Sequence, residues 1–303
     1  MKDEINVFEF LQQFPDEDAC ESYIVKKRWP TGISCPHCKN HNIYRLENQK
    51  RFKCGGCRKQ FSCRTNSVLA ESKVKLQKWM MAVWILTSHR KGISSVQLSK
   101  TLGVTQKTAW FLGHRIREAI SQRRSLFDGV VEVDETFIGG KEKNKHASKK
   151  LRQGRGAVGK KPVVGIKNRN GQVKAAVIPD VKGSTLHCRI HGGVERGATV
   201  YTDEHLGYSG LSAFYNHEFV KHGAGEYVKG MASTNGIESF WSLLKRGYIG
   251  IYHKMSFKHL QKYVDEFCFR QNSREGVAID VIGDVFFRSN NKRLTYKRLI
   301  HAS

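Results

Sequence analysis

Two Cys-x2-Cys pairs, Cys35-Pro-His-Cys38 and Cys54-Gly-Gly-Cys57, stand 15 residues apart and constrain the fold more than any other feature of the chain. Tetrahedral zinc takes four soft ligands, and each tight Cys-x2-Cys turn offers two thiolates. The stretch between the pairs has room for one hairpin, with Ile43-Tyr-Arg45 and Arg51-Phe-Lys53 as its strands around Glu47–Lys50. The spacing therefore predicts a zinc ribbon holding one structural Zn²⁺ on Cys35, Cys38, Cys54 and Cys57, with no coordination position left open. Five of the eight cysteines fall between positions 35 and 63, which suits a metal site in a reducing compartment better than a disulfide framework. Cys20, Cys63, Cys188 and Cys268 are isolated and are expected to be buried as small apolar side chains.

The charge balance narrows the partners. The 303 residues carry 52 Lys and Arg against 27 Asp and Glu, a formal net charge of +25. A surplus of this size points to a polyanion, since phosphate backbones reward positive charge through counterion release. No apolar run is long enough to cross a bilayer, and the acidic start Met-Lys-Asp-Glu-Ile is not a secretory signal. We therefore expect a cytoplasmic, nucleoid-associated protein with no membrane partner.

From Lys75 to Arg124 the pattern is helical, with Trp79, Val83, Trp84 and Leu86 on one apolar side. Residues 93–110 then read as a short helix, a turn at Gly103, and a second helix capped by Thr105. In a helix-turn-helix of this kind Gln106, Lys107 and Thr108 would face base edges; a plain helical hairpin is the other reading.

Beyond position 129 the periodicity shifts to strands: 129–138, 161–168 and 172–178, with Asn170-Gly171 as the turn joining the last two. A helix from Ser184, a strand ending at Asp203, a short helix near 207–214, a strand at Glu218–Lys221 and a helix over 233–246 follow. That order suits a mixed α/β sheet covered by helices. It carries Asp134 in the first strand, Asp203 at the tip of the fourth, and Glu238 on the last helix, off its apolar stripe of Ile237, Phe240, Trp241 and Leu244. Three such carboxylates can hold a pair of divalent cations about 3.5–4 Å apart. Lys245, two turns beyond Glu238, would face a phosphate, and Asn235 reads as the helix N-cap. A basic insertion at 140–161 holds nine Lys or Arg, including Lys149, Lys150, Arg152 and Arg155, and is expected to fold onto DNA beside the acids.

As a set these pieces resemble the DDE transposases of bacterial insertion sequences, specifically the insertion-sequence 1595 family: the two Cys pairs, Val131-Glu-Val-Asp-Glu-Thr-Phe-Ile-Gly-Gly140, Tyr201-Thr-Asp-Glu204, and Thr234-Asn-Gly-Ile-Glu-Ser-Phe-Trp241 with Lys245-Arg246. The resemblance implies a ribonuclease-H-like catalytic domain that cuts and joins element ends with two Mg²⁺ ions, Mn²⁺ being able to substitute. In some members the third acidic position is Asn, so Asn235 stands beside Glu238 as the alternative third residue. The expected layout is an N-terminal helix and zinc ribbon over 1–68, a helix-turn-helix-like segment over 69–126, the catalytic domain over 127–250, and a basic helical tail over 251–303. The expected partner is double-stranded DNA, both element ends and target, bound by a homodimer or higher oligomer. A non-catalytic DNA-binding regulator descended from a transposase, and a nuclease that cuts without joining, are the competing readings.

Overall fold

The computed structural model describes residues 5–46, 50–122, 125–151, 157–220 and 233–301. The chain divides into two compact units, Met1–Ser121 with Ser273–Ser303, and Gln122–Asn272.

The first unit begins with helices α1 (Val7–Gln13) and α2 (Glu17–Arg28), capped by the side chains of Asn6 and Asp16. Phe10 and Phe14 are the buried side of α1, with Phe10 stacked at 5.0 Å on Trp84. A three-stranded antiparallel sheet follows: β1 (Ile43–Leu46), β2 (Arg51–Cys54) and β3 (Gln60–Phe61). Ile43 pairs with Cys54 and Leu46 with Arg51, the register of the expected hairpin; most of its turn, 47–49, lies outside the described residues. Three helices come next, α3 (Leu76–Ser88), α4 (Ser95–Leu102) and α5 (Gln106–Ala119). Trp79, Val83 and Leu86 bury the expected side of α3. Gly103 ends α4 in the left-handed conformation at φ +58, a backbone that side chains with a Cβ rarely adopt. Thr105 caps α5, its hydroxyl accepting the N–H of Thr108 at 3.2 Å. Helices α4 and α5 are thus joined by a tight turn at 103–105.

The second unit is a five-stranded mixed sheet of order β6-β5-β4-β7-β8, built from β4 (Val130–Ile138), β5 (Lys161–Asn168), β6 (Val173–Val177), β7 (Thr199–Thr202) and β8 (Asn216–Phe219). The first three strands run antiparallel in sequence, and β7 and β8 then run parallel to β4. This is the ribonuclease-H-like arrangement. Helix α6 (Gly183–His191) covers one face, where Leu186 and Ile190 pack with Val131, Val133, Val164 and Ile166. Helices α7 (Asn235–Gly247) and α8 (Leu260–Asn272) cover the other, where Ile237, Phe240, Trp241, Leu244, Val264 and Phe267 pack with Ile138 and Val163. Strand alternation thus sends the odd residues of β4 to α6 and the even ones, Glu132, Asp134 and Thr136, to α7.

The stretch read as a C-terminal tail is divided between the units. Helix α8 belongs to the sheet, where Asn272 bonds both the N–H and the carbonyl of Val173, at 2.7 and 2.9 Å. Helices α9 (Ala278–Arg288) and α10 (Tyr296–His301) belong to the first unit. There Ile282, Val285 and Phe286 are buried, Tyr23 donates to the carbonyl of Ile279 at 2.5 Å, and Lys27 pairs with Asp280 at 2.9 Å. Apolar burial on one face of α9 outweighs its basic neighbours and keeps it from standing free. Cys20, Cys63 and Cys268 are buried as expected, but Cys188 is exposed, because it lies on the outer side of α6. Among the described residues no helix is long and apolar enough to cross a membrane.

Candidate active site

The zinc site is built from two knuckles of the small sheet. Cys35, Cys38, Cys54 and Cys57 place their sulfurs within 4.8 Å of one another, with Cys35 and Cys57 at 3.7 Å and Cys38 and Cys54 at 3.5 Å. A tetrahedron with Zn–S bonds of about 2.3 Å has edges near those lengths. The residues that follow the pairs, Lys39 and Arg58, turn the chain at φ +62 and +59. The N–H groups of His37 and Cys57 point at the sulfurs of Cys35 and Cys54, at 3.4 and 3.5 Å. Phe52 and Phe61 pack with the buried Cys35 and Cys54, and the four thiols suit a structural Zn²⁺.

The acidic site sits on the α7 side of the second sheet. Asp134 lies mid-strand in β4, and the register of β7 along β4 (Glu132 beside Tyr201) carries Asp203, one residue past β7, level with it. Glu238 reaches the same place from the first turn of α7. Asp134, Glu135, Thr136, Glu238, Trp241, Lys245 and Arg246 line one cleft of about 400 Å³. Burial pushes the Asp134 carboxyl up to about 7, and Glu135, Asp203 and Glu238 add to the shift through their negative charge. Among the described residues the acids are not gathered as closely as the four thiols are.

Each carboxylate has a defined support. Asp134 Oδ1 accepts the N–H of Glu135 at 2.8 Å and Oδ2 accepts the indole N–H of Trp241 at 3.0 Å. Asp203 Oδ1 accepts the N–H of His205 at 3.0 Å. Glu238 Oε1 accepts the hydroxyl of Thr234 at 2.9 Å. Thr234, and not Asn235, is the N-cap of α7, and its side chain makes no cap bond. Asn235 is already the first helical residue and is exposed.

Sequence reasoning passed over several neighbours. Glu135 points to the α6 side, where its Oε2 accepts the hydroxyl of the buried Tyr208 and its Oε1 lies 4.0 Å from His205 Nδ1. Burial, and then the charge of Asp203, hold the Glu135 carboxyl above the usual carboxylate range, against the lowering effect of the Tyr208 bond. Glu132, two positions before Asp134 and on its face, is buried and accepts the N–H of Ile237 at 2.9 Å. The period-two alternation of β4 was signal enough to bring Glu132 to the α7 face.

The other expected contact residues are solvent-facing but not idle. Gln106 donates to Ser95 at 2.8 Å, Lys107 lies 4.8 Å over the ring of Tyr296, and the hydroxyl of Thr108 meets that of Thr105 at 2.9 Å. In the basic insertion Lys149 and Lys150 are exposed on a short 3₁₀ turn. Glu142 ties that segment together, accepting the N–H of Leu151 at 2.6 Å and pairing with Lys145 at 2.5 Å. Arg152 and Arg155 lie outside the described residues.

Two family models match the chain: an ISXO2-like transposase domain over residues 127–272 and a transposase zinc-ribbon domain over residues 15–60. A protein of Halobacterium salinarum described as an uncharacterized protein in transposable element ISH50 is 29% identical over 276 residues, covering 86% of this chain and 92% of that protein. Among solved structures, a simian T-cell lymphotropic virus intasome in complex with a PP2A regulatory subunit matches at TM-score 0.29 and 13% identity, over 62% of this chain and 64% of that one, under two thirds of its length. A pre-cleavage Mos1 transpososome matches at TM-score 0.19 and 11% identity, over 67% and 78%. A zinc ribbon followed by a ribonuclease-H-like sheet, both under models from one group of mobile elements, makes the chain a member of the insertion-sequence 1595 family of transposases.

Proposed function

We propose that this transposase binds the inverted repeats at the ends of its element and carries out metal-dependent strand cleavage followed by strand transfer. The observation that supports this most is the half-buried Asp134, which shares with Glu238 a cleft edged by Lys245 and Arg246. Its carboxyl is pushed up to about 7, first by burial and then by the charge of Glu135, Asp203 and Glu238. Such a site gathers negative charge that divalent cations would offset, and it has positive charge at its rim for phosphate.

The donors are hard carboxylate oxygens, which suit Mg²⁺ or Mn²⁺ rather than a thiophilic metal. Asp134 and Asp203 would hold the ions and Glu238 would complete the set. When bound, a pair of such ions supplies activation of the attacking oxygen and stabilisation of the leaving one. The chain's own groups do the rest. Thr234 orients Glu238 by its hydroxyl hydrogen bond. Lys245 holds a phosphate as a point charge. The buried Trp241 orients Asp134 through its indole N–H. Lys149 and Lys150, with Arg152 and Arg155, would meet the DNA backbone, and Gln106, Lys107 and Thr108 would read base edges. Joining two ends calls for more than one copy, so a dimer or higher oligomer on DNA is the working assembly.

The test is an assay of the purified full chain with DNA carrying the repeats that flank its coding region, in Mg²⁺. Joined strand-transfer product supports the reading. Cleavage without joining would make the protein a nuclease, and binding without either would make it a regulator.

A further inference from the structure

We propose that Trp241 is a positioning residue for the reaction: its indole N–H holds Oδ2 of Asp134 and thereby locks the helix carrying Glu238 and Lys245 to the strand carrying Asp134. The inference rests on the reading of Asp134 as a metal-holding acid.

Three observations carry it. The Trp241 Nε1 to Asp134 Oδ2 distance is 3.0 Å, and Trp241 is only 3% exposed. Second, the place for the ring is made by a missing side chain. Gly165 is paired with Asp134 across β4 and β5. A Cβ built on it would fall 2.6 and 2.7 Å from two atoms of the indole ring. Glycine at this position lets the indole lie flat on the sheet and reach the carboxylate; alanine would push it off. Third, both oxygens of Asp134 are held by donors of the cleft's own lining, Oδ1 by the N–H of Glu135 at 2.8 Å and Oδ2 by the indole. Each oxygen keeps a second lone pair, so the group is oriented without being used up. A neutral donor does this without neutralising the carboxylate's charge, as an Arg or Lys would.

Trp241 also stands three positions after Glu238 and four before Lys245, so both reach the cleft from the helical turns on either side of the anchored indole. Displacing that one ring therefore moves acid and base together relative to Asp134.

The experiment measures Mn²⁺ binding to the full chain by the EPR signal of the free ion, for wild type, Trp241→Phe, Gly165→Ala and Asp134→Asn. Trp241→Phe keeps an aromatic ring and removes the N–H. It should bind Mn²⁺ about 10- to 100-fold more weakly, as loss of a hydrogen bond to a metal-holding residue does, with a melting temperature close to wild type. Gly165→Ala, which leaves the indole intact but displaced, should shift binding in the same direction. Wild-type Mn²⁺ affinity in a folded Trp241→Phe, beside lost affinity in Asp134→Asn, overturns the role of Trp241 and leaves the metal site standing. Undiminished affinity in Asp134→Asn overturns the metal-site reading itself, and the inference with it. A measurement on protein labelled with [¹⁵N]Trp covers the case in which the Trp241 and Gly165 variants do not fold. Saturating Mg²⁺ should shift one of the five indole N–H signals, and the same signal should shift in Asp134→Asn; no indole response to either overturns the proposal.

Discussion

The carboxylate of Glu132 accepts the backbone N–H of Ile237 at 2.9 Å, joining strand β4 to the first turn of helix α7 across 105 positions of sequence. It takes the place of a side-chain N-cap, which α7 lacks. An acid at a helix N-terminus satisfies an otherwise unpaired donor and opposes the positive end of the helix dipole. Gly236 makes the approach possible, since a Cβ there would lie 2.6 Å from Glu132 Oε2 and 2.7 Å from Lys167 Nζ. Replacing Glu132 with Ala should destabilise the second unit by about 1–3 kcal/mol, the cost of an unsatisfied buried donor. Gly236→Ala should also destabilise it. Urea unfolding of both variants checks this, and wild-type midpoints would remove Glu132 as the anchor of α7.

Zinc should be stoichiometric and structural. Cys54→Ser removes one of four ligands from a buried site whose metal binding is coupled to folding. The variant should lose the metal and loosen the first unit while the sheet of the second stays folded. Elemental analysis with a thermal melt measures both, and protein purified without chelators that holds no zinc contradicts the account.

The Asp134 carboxyl is raised from 3.8 to about 7, first by burial and then by Glu135, Asp203 and Glu238. Between those values the folded protein holds a proton that the unfolded chain has released. The metal-free protein should therefore lose stability as pH rises from about 4 to about 7, and level off above that. Divalent cations must displace the same proton, so Mg²⁺ affinity should climb over that range and flatten beyond it. Melting curves in chelator across that range, for wild type and Asp134→Asn, show whether the slope is smaller in the variant. Equal slopes would mean that Asp134 is not the group responsible.

The third acid is decided by a pair of variants. Glu238 lines the cleft and is held by Thr234, whereas Asn235 is not among the lining residues. Glu238→Gln should lose nearly all Mg²⁺-dependent cleavage, because an amide brings no charge to balance the cations. Asn235→Ala, which removes no cap bond, should leave stability and most activity unchanged. Active Glu238→Gln beside folded but inactive Asn235→Ala would reverse the assignment.

What could be read from the chain beforehand follows from the range of the interactions involved. The zinc ligands, the Gly103 turn, the Thr105 cap and the alternation of β4 are set within a few residues, and each was legible. Asp134 and Asp203 stood out only as candidates, since the sequence around Asp134 also carries Glu132 and Glu135 and does not rank the three. The Asp134–Gly165 register was not legible, nor the indole bond that depends on it, since each needs a partner 31 or 107 positions away. Asn235 looked like a cap because a short polar residue before an apolar repeat usually is one; Glu132 performs that task from another strand. Helix α9 looked like part of a basic tail because its partners on α2 lie some 250 positions earlier.

The central claim, that these carboxylates run the chemistry while other surfaces bind the DNA, is tested most directly by Asp203→Asn. Its binding to end DNA and its Mg²⁺-dependent formation of strand-transfer product should be measured side by side with wild type. The account predicts end-DNA affinity within about twofold of wild type, because the contacts that dominate affinity are phosphate contacts by basic side chains, and no detectable product. Product formed at the wild-type rate by Asp203→Asn would contradict it.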